Sequence, residues 1–295
     1  MSICVRKAWL VLDSQTLQLE DTSKGYFCTE LDLGYPDVRE VVNNRPDVDG
    51  VDDRTQLFGA RVVSANITAL SGAGAQIDAI AAQFVPFMRP NARPVLHYVL
   101  DRPGAPERMI TLRASGYSWP IAGPYERDIQ LQWVASDPAA LDPVEKTVIA
   151  WAGASTAAGR TYNLTFPRVY PPGGGGVVSG RITPGGVLPV QPRLRIYGPI
   201  TKPFVTIQLN NVPTLTVAFL ASFTIGAGHY VDVSTSEHTA FLDGDPTQSV
   251  IASIDWFATI WGVLMPANTY IMSLLGSTTS GVTQVQAMWH DRYLT

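Results

Sequence analysis

Apolar residues recur at every second position in several separate stretches. A chain written that way must place them on one face of β-strands. Val63, Ala65, Ile67 and Ala69 fall on one side of such a stretch, with Ser64, Asn66 and Thr68 on the other. Ile110, Leu112 and Ala114 alternate with Thr111, Arg113 and Ser115, and Ile129, Leu131, Trp133 and Ala135 alternate with Gln130 and Gln132. Alternation against a polar face marks antiparallel sheet wetted on one side. One stretch has a different period: Ile77, Ile80, Ala81, Phe84 and Met88 recur at helical spacing, and Pro86 and Pro90 stop or bend that helix. The spacing thus predicts a sheet or sandwich with one flanking helix over residues 1–142.

Between Pro167 and Pro192, 13 of 26 residues are Gly or Pro, including Gly173 to Gly176. That density leaves no helix or central strand, so 143–192 is expected to be a Gly/Pro-rich linker or extended arm. Beyond it, 193–295 predicts a second sandwich of short strands. These are Leu194–Tyr197, Phe204–Leu209, Leu215–Phe223, Tyr230–Ser234 and Thr239–Leu242, with an Asp243-Gly244 turn and a last alternation at Val285, Ala287 and Trp289. A length of 295 residues accommodates two such domains.

Composition narrows the functional classes. The 21 Lys and Arg against 25 Asp and Glu give a net charge of −4, which disfavours specific nucleic-acid binding. Most of the charge sits in the first domain, where 13 basic residues face 18 acidic ones up to Asp142. The uncharged stretches Pro203–Val231 and Trp256–Trp289 are interrupted by Pro213, Asn210, Pro266 and Asn268, so no membrane insertion is expected. Cys4 and Cys28 form no C-x-x-C and are expected as two thiols of a reducing cytoplasm. The apolar run Ala8–Leu12 is too short for a secretion signal.

Few residues suggest chemistry. Asp47, Asp49, Asp52 and Asp53 surround Gly50 and offer carboxylates to calcium, yet the spacing departs from an EF-hand loop, and Arg45 and Arg54 flank the run as ion-pair partners. A charged surface or interface loop is the better reading, and no metal is assigned. Gly72-Ala73-Gly74 and Gly173–Gly176 lack the context of a nucleotide-binding loop, so no cofactor is assigned. His97, His229, His238 and His290 form no H-E-x-x-H, and Asp243 and Asp245 flank a turn glycine, as in an ordinary loop. No Gly-x-Ser-x-Gly elbow occurs, and no enzyme is expected. Trp133, Trp256, Trp261 and Trp289 are expected in the cores, with an exposed aromatic platform as the alternative.

Several segments carry a resemblance by their order and spacing. They are Asn44-Arg45-Pro46, Asp49-Gly50, Asp52–Val62 (DDRTQLFGARV), Phe84–Tyr98 (FVPFMRPNARPVLHY), Arg108–Ala114 (RMITLRA) and Leu131–Leu141 (LQWVASDPAAL) in the first domain. In the second they are Leu194–Pro199 (LRIYGP), Phe241–Pro246 (FLDGDP) and Met288–Leu294 (MWHDRYL). In these the chain resembles the distal or minor tail proteins of long, non-contractile-tailed bacteriophages, in a style closest to actinobacteriophages. The resemblance implies a mainly β protein: an N-terminal tail-tube-like β-sandwich with one flanking helix, and a C-terminal β-sandwich, galectin-like or jelly-roll. It implies a structural virion protein of the tail tip, made in the host cytoplasm. Such proteins form a hexameric ring joining the tail tube to the tail-tip hub, other minor tail proteins and host-recognition apparatus. No catalytic residues carry over.

A cyclic ring needs two different complementary faces on each subunit. The long stretch from Gly34 to Phe58 is the expected source of one, with Arg45, Asp47, Asp49, Asp52, Asp53 and Arg54 setting register against a neighbour. The alternative function is a carbohydrate-binding tail-tip protein whose second sandwich displays aromatic residues to the host envelope.

Overall fold

A computed structural model describes residues 5–39, 42–44, 51–53, 57–71, 74–123, 125–152, 179–278 and 283–294. The chain divides into two compact units, Met1–Pro143 with Leu294–Thr295, and Val144–Tyr293. Both are mainly β, and their described strand pairs of two or more residues are antiparallel.

In the first unit, strand Arg61–Leu70 is central to one sheet, between Glu126–Ala135 and Tyr26–Asp32, with Arg113–Ser118 beyond Glu126–Ala135. Register places Val63 opposite Trp133, Ala65 opposite Leu131 and Ile67 opposite Ile129. These six residues are all buried, as the alternation requires. A second sheet runs through Gln15–Gln18, Val5–Leu12, Val95–Leu100, Glu107–Thr111 and Ala140–Leu141. It contributes the buried Leu10, Leu17, Leu96, Tyr98 and Ile110. The helix spans Gly74–Phe84 and buries Ile77, Ile80, Ala81 and Phe84 against strands Arg61–Leu70 and Glu126–Ala135. Pro86 brings no N–H, and the helix tightens there into the single 3-10 turn Val85–Met88.

The stretch expected as a long loop is, in its described parts, a pair of two-stranded ribbons. Val38–Arg39 pairs with Leu57–Phe58, and Val42–Asn44 pairs with Val51–Asp53. Gly34 stands at its foot with φ +61°, and a Cβ there would lie 2.1 Å from the Val62 carbonyl oxygen. Only glycine lets the chain leave the sheet so close to that strand.

The second unit is a sandwich of two sheets. One orders Lys146–Trp151, Gln284–Trp289, Arg193–Tyr197, Tyr230–Ser234 and Thr239–Leu242. The other orders Gly180–Ile182, Tyr270–Thr278, Ile200–Leu209 and Val212–Ala218, with Thr224–Ile225 also joined to Ile200–Leu209. Their inner faces bury Leu194, Ile196, Val205, Ile207, Val231, Val233, Met272 and Leu274 in one core.

The linker expected over 143–192 differs from what its described parts show. Lys146–Trp151 is an edge strand of the second unit, Gly180–Ile182 is another, and Val190 bridges Leu264. Glycine and proline suit edge positions, where one side of the backbone needs no ladder partner. Gly173–Gly176 lie outside the described residues.

Candidate functional site

Of the six expected interface residues, Asp52 and Asp53 fall on strand Val51–Asp53, opposite Asn43 and Val42. Arg45, Asp47, Asp49 and Arg54 lie outside the described residues. Among the described residues, no group of three or more His, Cys, Asp or Glu is arranged to hold a metal ion. No described helix is long and apolar enough to cross a membrane.

The histidines serve local contacts. His97 Nδ1 lies 2.7 Å from Glu107 Oε1 across neighbouring strands, and its ring stacks on Trp9 at 5.4 Å between centroids. His229 Nδ1 lies 2.7 Å from Asp243 Oδ2, while Asp243 Oδ1 accepts the Tyr230 amide at 3.0 Å. Those bonds hold the Asp243 carboxyl below the usual range, the His229 contact most of all. Asp245 accepts the amide and hydroxyl of Thr247, which lower its carboxyl in turn. Both aspartates build the turn, with Asp243 and Gly244 at φ 53° and 70°. Cys28 is a free thiol whose Sγ donates to the Glu30 carbonyl, and burial pushes it up to about 11. A thiol so raised is a poor nucleophile at neutral pH. Cys4 lies outside the described residues.

The tryptophans divide. Trp133 and Trp289 are core residues as expected. Trp261 is half-buried against the second core and stacks with His238 at 4.7 Å. Trp256 departs from its expected core position, with 52% of its surface exposed, and Phe257 beside it is fully exposed. The cause is local: Asp255 caps a turn by accepting the Phe257 and Ala258 amides at 3.1 and 3.3 Å, which aims residues 256–257 outward. Ile260 and Leu264 are then pinned by backbone bonds to Thr216 and Val190. With Ile260, Val263 and Met265 also exposed, this makes an uncharged apolar strip. The one sequence signal for it was the absence of charge from Trp256 onward, which equally describes a core.

Open clefts of the first unit include two of about 280 and 660 Å³ that adjoin one another. Both are lined by Arg6, Lys7, Ala8 and Glu20, the smaller reaching Cys28, Glu30 and Asp101 and the larger Trp9, Asp21 and Ser23. They mix both charge signs and converge on no reactive group.

The fold of the chain is shared with solved structures of phage proteins. The chain matches the crystal structure of SPP1 Dit (gp 19.1), described as a paradigm of the hub adsorption apparatus in phages infecting Gram-positive bacteria. The TM-score is 0.61 at 12% identity, over 97% of this chain and 99% of that one. It also matches a chain of the phage P2 baseplate in its activated conformation, with Ca (TM-score 0.53, 8% identity) and with Sr (0.52, 8%). Each of those matches covers 96% of this chain and 98% of the other. No protein-family model matches the chain, and no curated protein matches it in sequence.

Proposed function

We propose that the protein is a structural, non-catalytic component of a phage tail tip. It forms a hexameric ring that joins the tail tube of a long, non-contractile tail to the tail-tip hub and host-recognition proteins. The observation that carries this reading is a fold likeness to a phage hub protein that runs through both units, over 97% of one chain and 99% of the other. The charged stretch Arg45–Arg54 supplies register between neighbouring subunits, an actinobacteriophage origin fits the sequence style, and the protein resides in the virion. Removal of Val48–Asp52 is expected to leave both units folded and to abolish ring assembly, as seen by native mass and particle imaging. Normal rings from that deletion would count against the role given to the stretch.

Exposed Trp256 favours a second reading, in which the second unit also adheres to host glycans. Phe257 beside it and Trp261, 6.0 Å away between ring centroids, extend the aromatic surface, and the reading ranks below the first because the fold likeness carries the first across both units.

A further inference from the structure

The excursion over residues 34–58 has no large sheet to belong to. Val38–Arg39 with Leu57–Phe58, and Val42–Asn44 with Val51–Asp53, are ribbons of two strands each, and neither joins a larger sheet among the described residues. A two-stranded ribbon is marginal in water and needs a third strand or an apolar surface to rest on. Tyr35, Val38 and Phe58, at the base of this one, are 64%, 52% and 46% exposed. Large apolar side chains and open strand edges together mark a surface made for a partner.

Elsewhere the first unit has open strand edges of its own. Strand Val5–Leu12 pairs with Val95–Leu100 on one side, but with Gln15–Gln18 on the other only from Trp9 onward. Leu19 donates its amide to the Ala8 carbonyl at 3.0 Å, and the chain then leaves for the 3-10 turn Thr22–Lys24. Residues 5–7 therefore keep an open edge among the described residues. Strand Tyr26–Asp32 is outermost in the other sheet, and past the bridge of Tyr26 to Asp21 its outer edge is open in the same sense. The adjoining clefts of about 280 and 660 Å³ follow these edges, the smaller being lined by residues 5–8 and 28–31. Among the described residues, Arg6, Lys7, Glu20 and Asp101 line the clefts without a side-chain hydrogen bond or ion pair. No described residue of the excursion lines either cleft, so the chain does not seat its described ribbons there itself.

We infer that the ribbon Val42–Asn44 with Val51–Asp53 of one copy docks in these clefts on the next copy, adding a strand to the open edge at residues 5–7. Main-chain bonds would supply affinity, as in other strand additions. Charge argues for a second copy as the occupant. The stretch offers Asp47, Asp49, Asp52 and Asp53 to Arg6 and Lys7, and Arg45 and Arg54 to Glu20 and Asp101. Ribbon and cleft are different surfaces of one subunit, so the contact is heterologous and closes into a ring by rotation. The inference rests on the ring reading and names the surface that receives the charged stretch.

The test is cross-linking of the 295-residue protein, with Cys4 and Cys28 changed to serine, alone and with tail-tube protein. Lys7→Cys protein is mixed with Asp52→Cys protein and treated with a short bis-maleimide, so that a link between the two positions forms only between copies. The expected product is a Lys7-to-Asp52 linked dimer, and the double variant should give a ladder ending at six copies. Reversing the cleft charge in Arg6→Glu with Lys7→Glu should raise the concentration needed for assembly at least about tenfold, with unchanged far-UV circular dichroism. Rings by native mass without the link would overturn the inference and leave the ring reading standing. Unaltered assembly of the charge-reversed protein would overturn it too, as would links confined to single chains of the double variant. Wild-type monomers under both conditions would remove the inference and the ring reading together.

Discussion

Asp291→Ala should destabilise the second unit by about 3 kcal/mol, read as a lower urea midpoint for that unit's transition. The Asp291 side chain is 3% exposed and accepts three hydrogen bonds: from Lys146 Nζ at 2.5 Å, the Gly185 amide at 2.8 Å and Trp289 Nε1 at 3.2 Å. These join strand Lys146–Trp151, the turn at Gly185 and the last long strand, so one carboxylate ties three distant parts of the sequence together. Alanine would strand a buried indole N–H and a backbone amide. Lys146 is 41% exposed and can turn to water, so the loss belongs at the lower end of the roughly 3–5 kcal/mol for breaking a buried pair. Acid should act through the same group. Burial alone would raise its carboxyl, but Lys146, the Gly185 amide and the indole outweigh it, and the pKa lies below the ordinary value. A folded-state pKa below the unfolded one gives stability that is present above the unfolded value, near 4, and is lost as pH falls through the folded one. The stability gap between wild type and Asp291→Asn should therefore narrow as pH is lowered below about 4.

Trp133→Ala should cost the first unit about 3–5 kcal/mol, since its side chain is wholly buried in the middle of the inner face. Its strand neighbours Leu131 and Ala135, and Val63 opposite, are fixed by the ladder and cannot close over the space. The two variants together test the division at Pro143. Far-UV circular dichroism in urea should show Trp133→Ala lowering one transition and Asp291→Ala the other. A single transition shifted equally by both would mean that the units do not unfold separately.

Much of the first unit is legible in its sequence because its sheets have one polar face. Where Ser64, Asn66 and Thr68 alternate with Val63, Ala65 and Ile67, the pattern states both the strand and its inner side. Strand Tyr270–Thr278 lacks that contrast: Tyr270, Met272 and Leu274 are buried, yet Ile271 and Leu275 on the other face are apolar too, at 44% and 48% exposure. Periodicity cannot separate two apolar faces, so the strand is hidden in an uncharged run. Gly180–Ile182 is hidden for the opposite reason, because its pairing is supplied by Tyr270–Met272, far along the chain, against a local composition that favours turns. Side-chain constellations are less legible still. Arg61 and Tyr98 come from strands of different sheets, and nothing in their spacing announces that they are neighbours. The outward turn of Trp256 and Phe257 depends on the Asp255 side chain capping the backbone, a detail composition does not carry.

Native mass spectrometry of the 295-residue protein, alone and with tail-tube protein, most directly tests the proposal that this chain is a ring-forming piece of a tail tip. The expected result is a closed species of 192 kDa, six copies of 32.0 kDa, with a central channel in particle images, formed unaided or on the tube. A 32.0 kDa monomer under both conditions would contradict it.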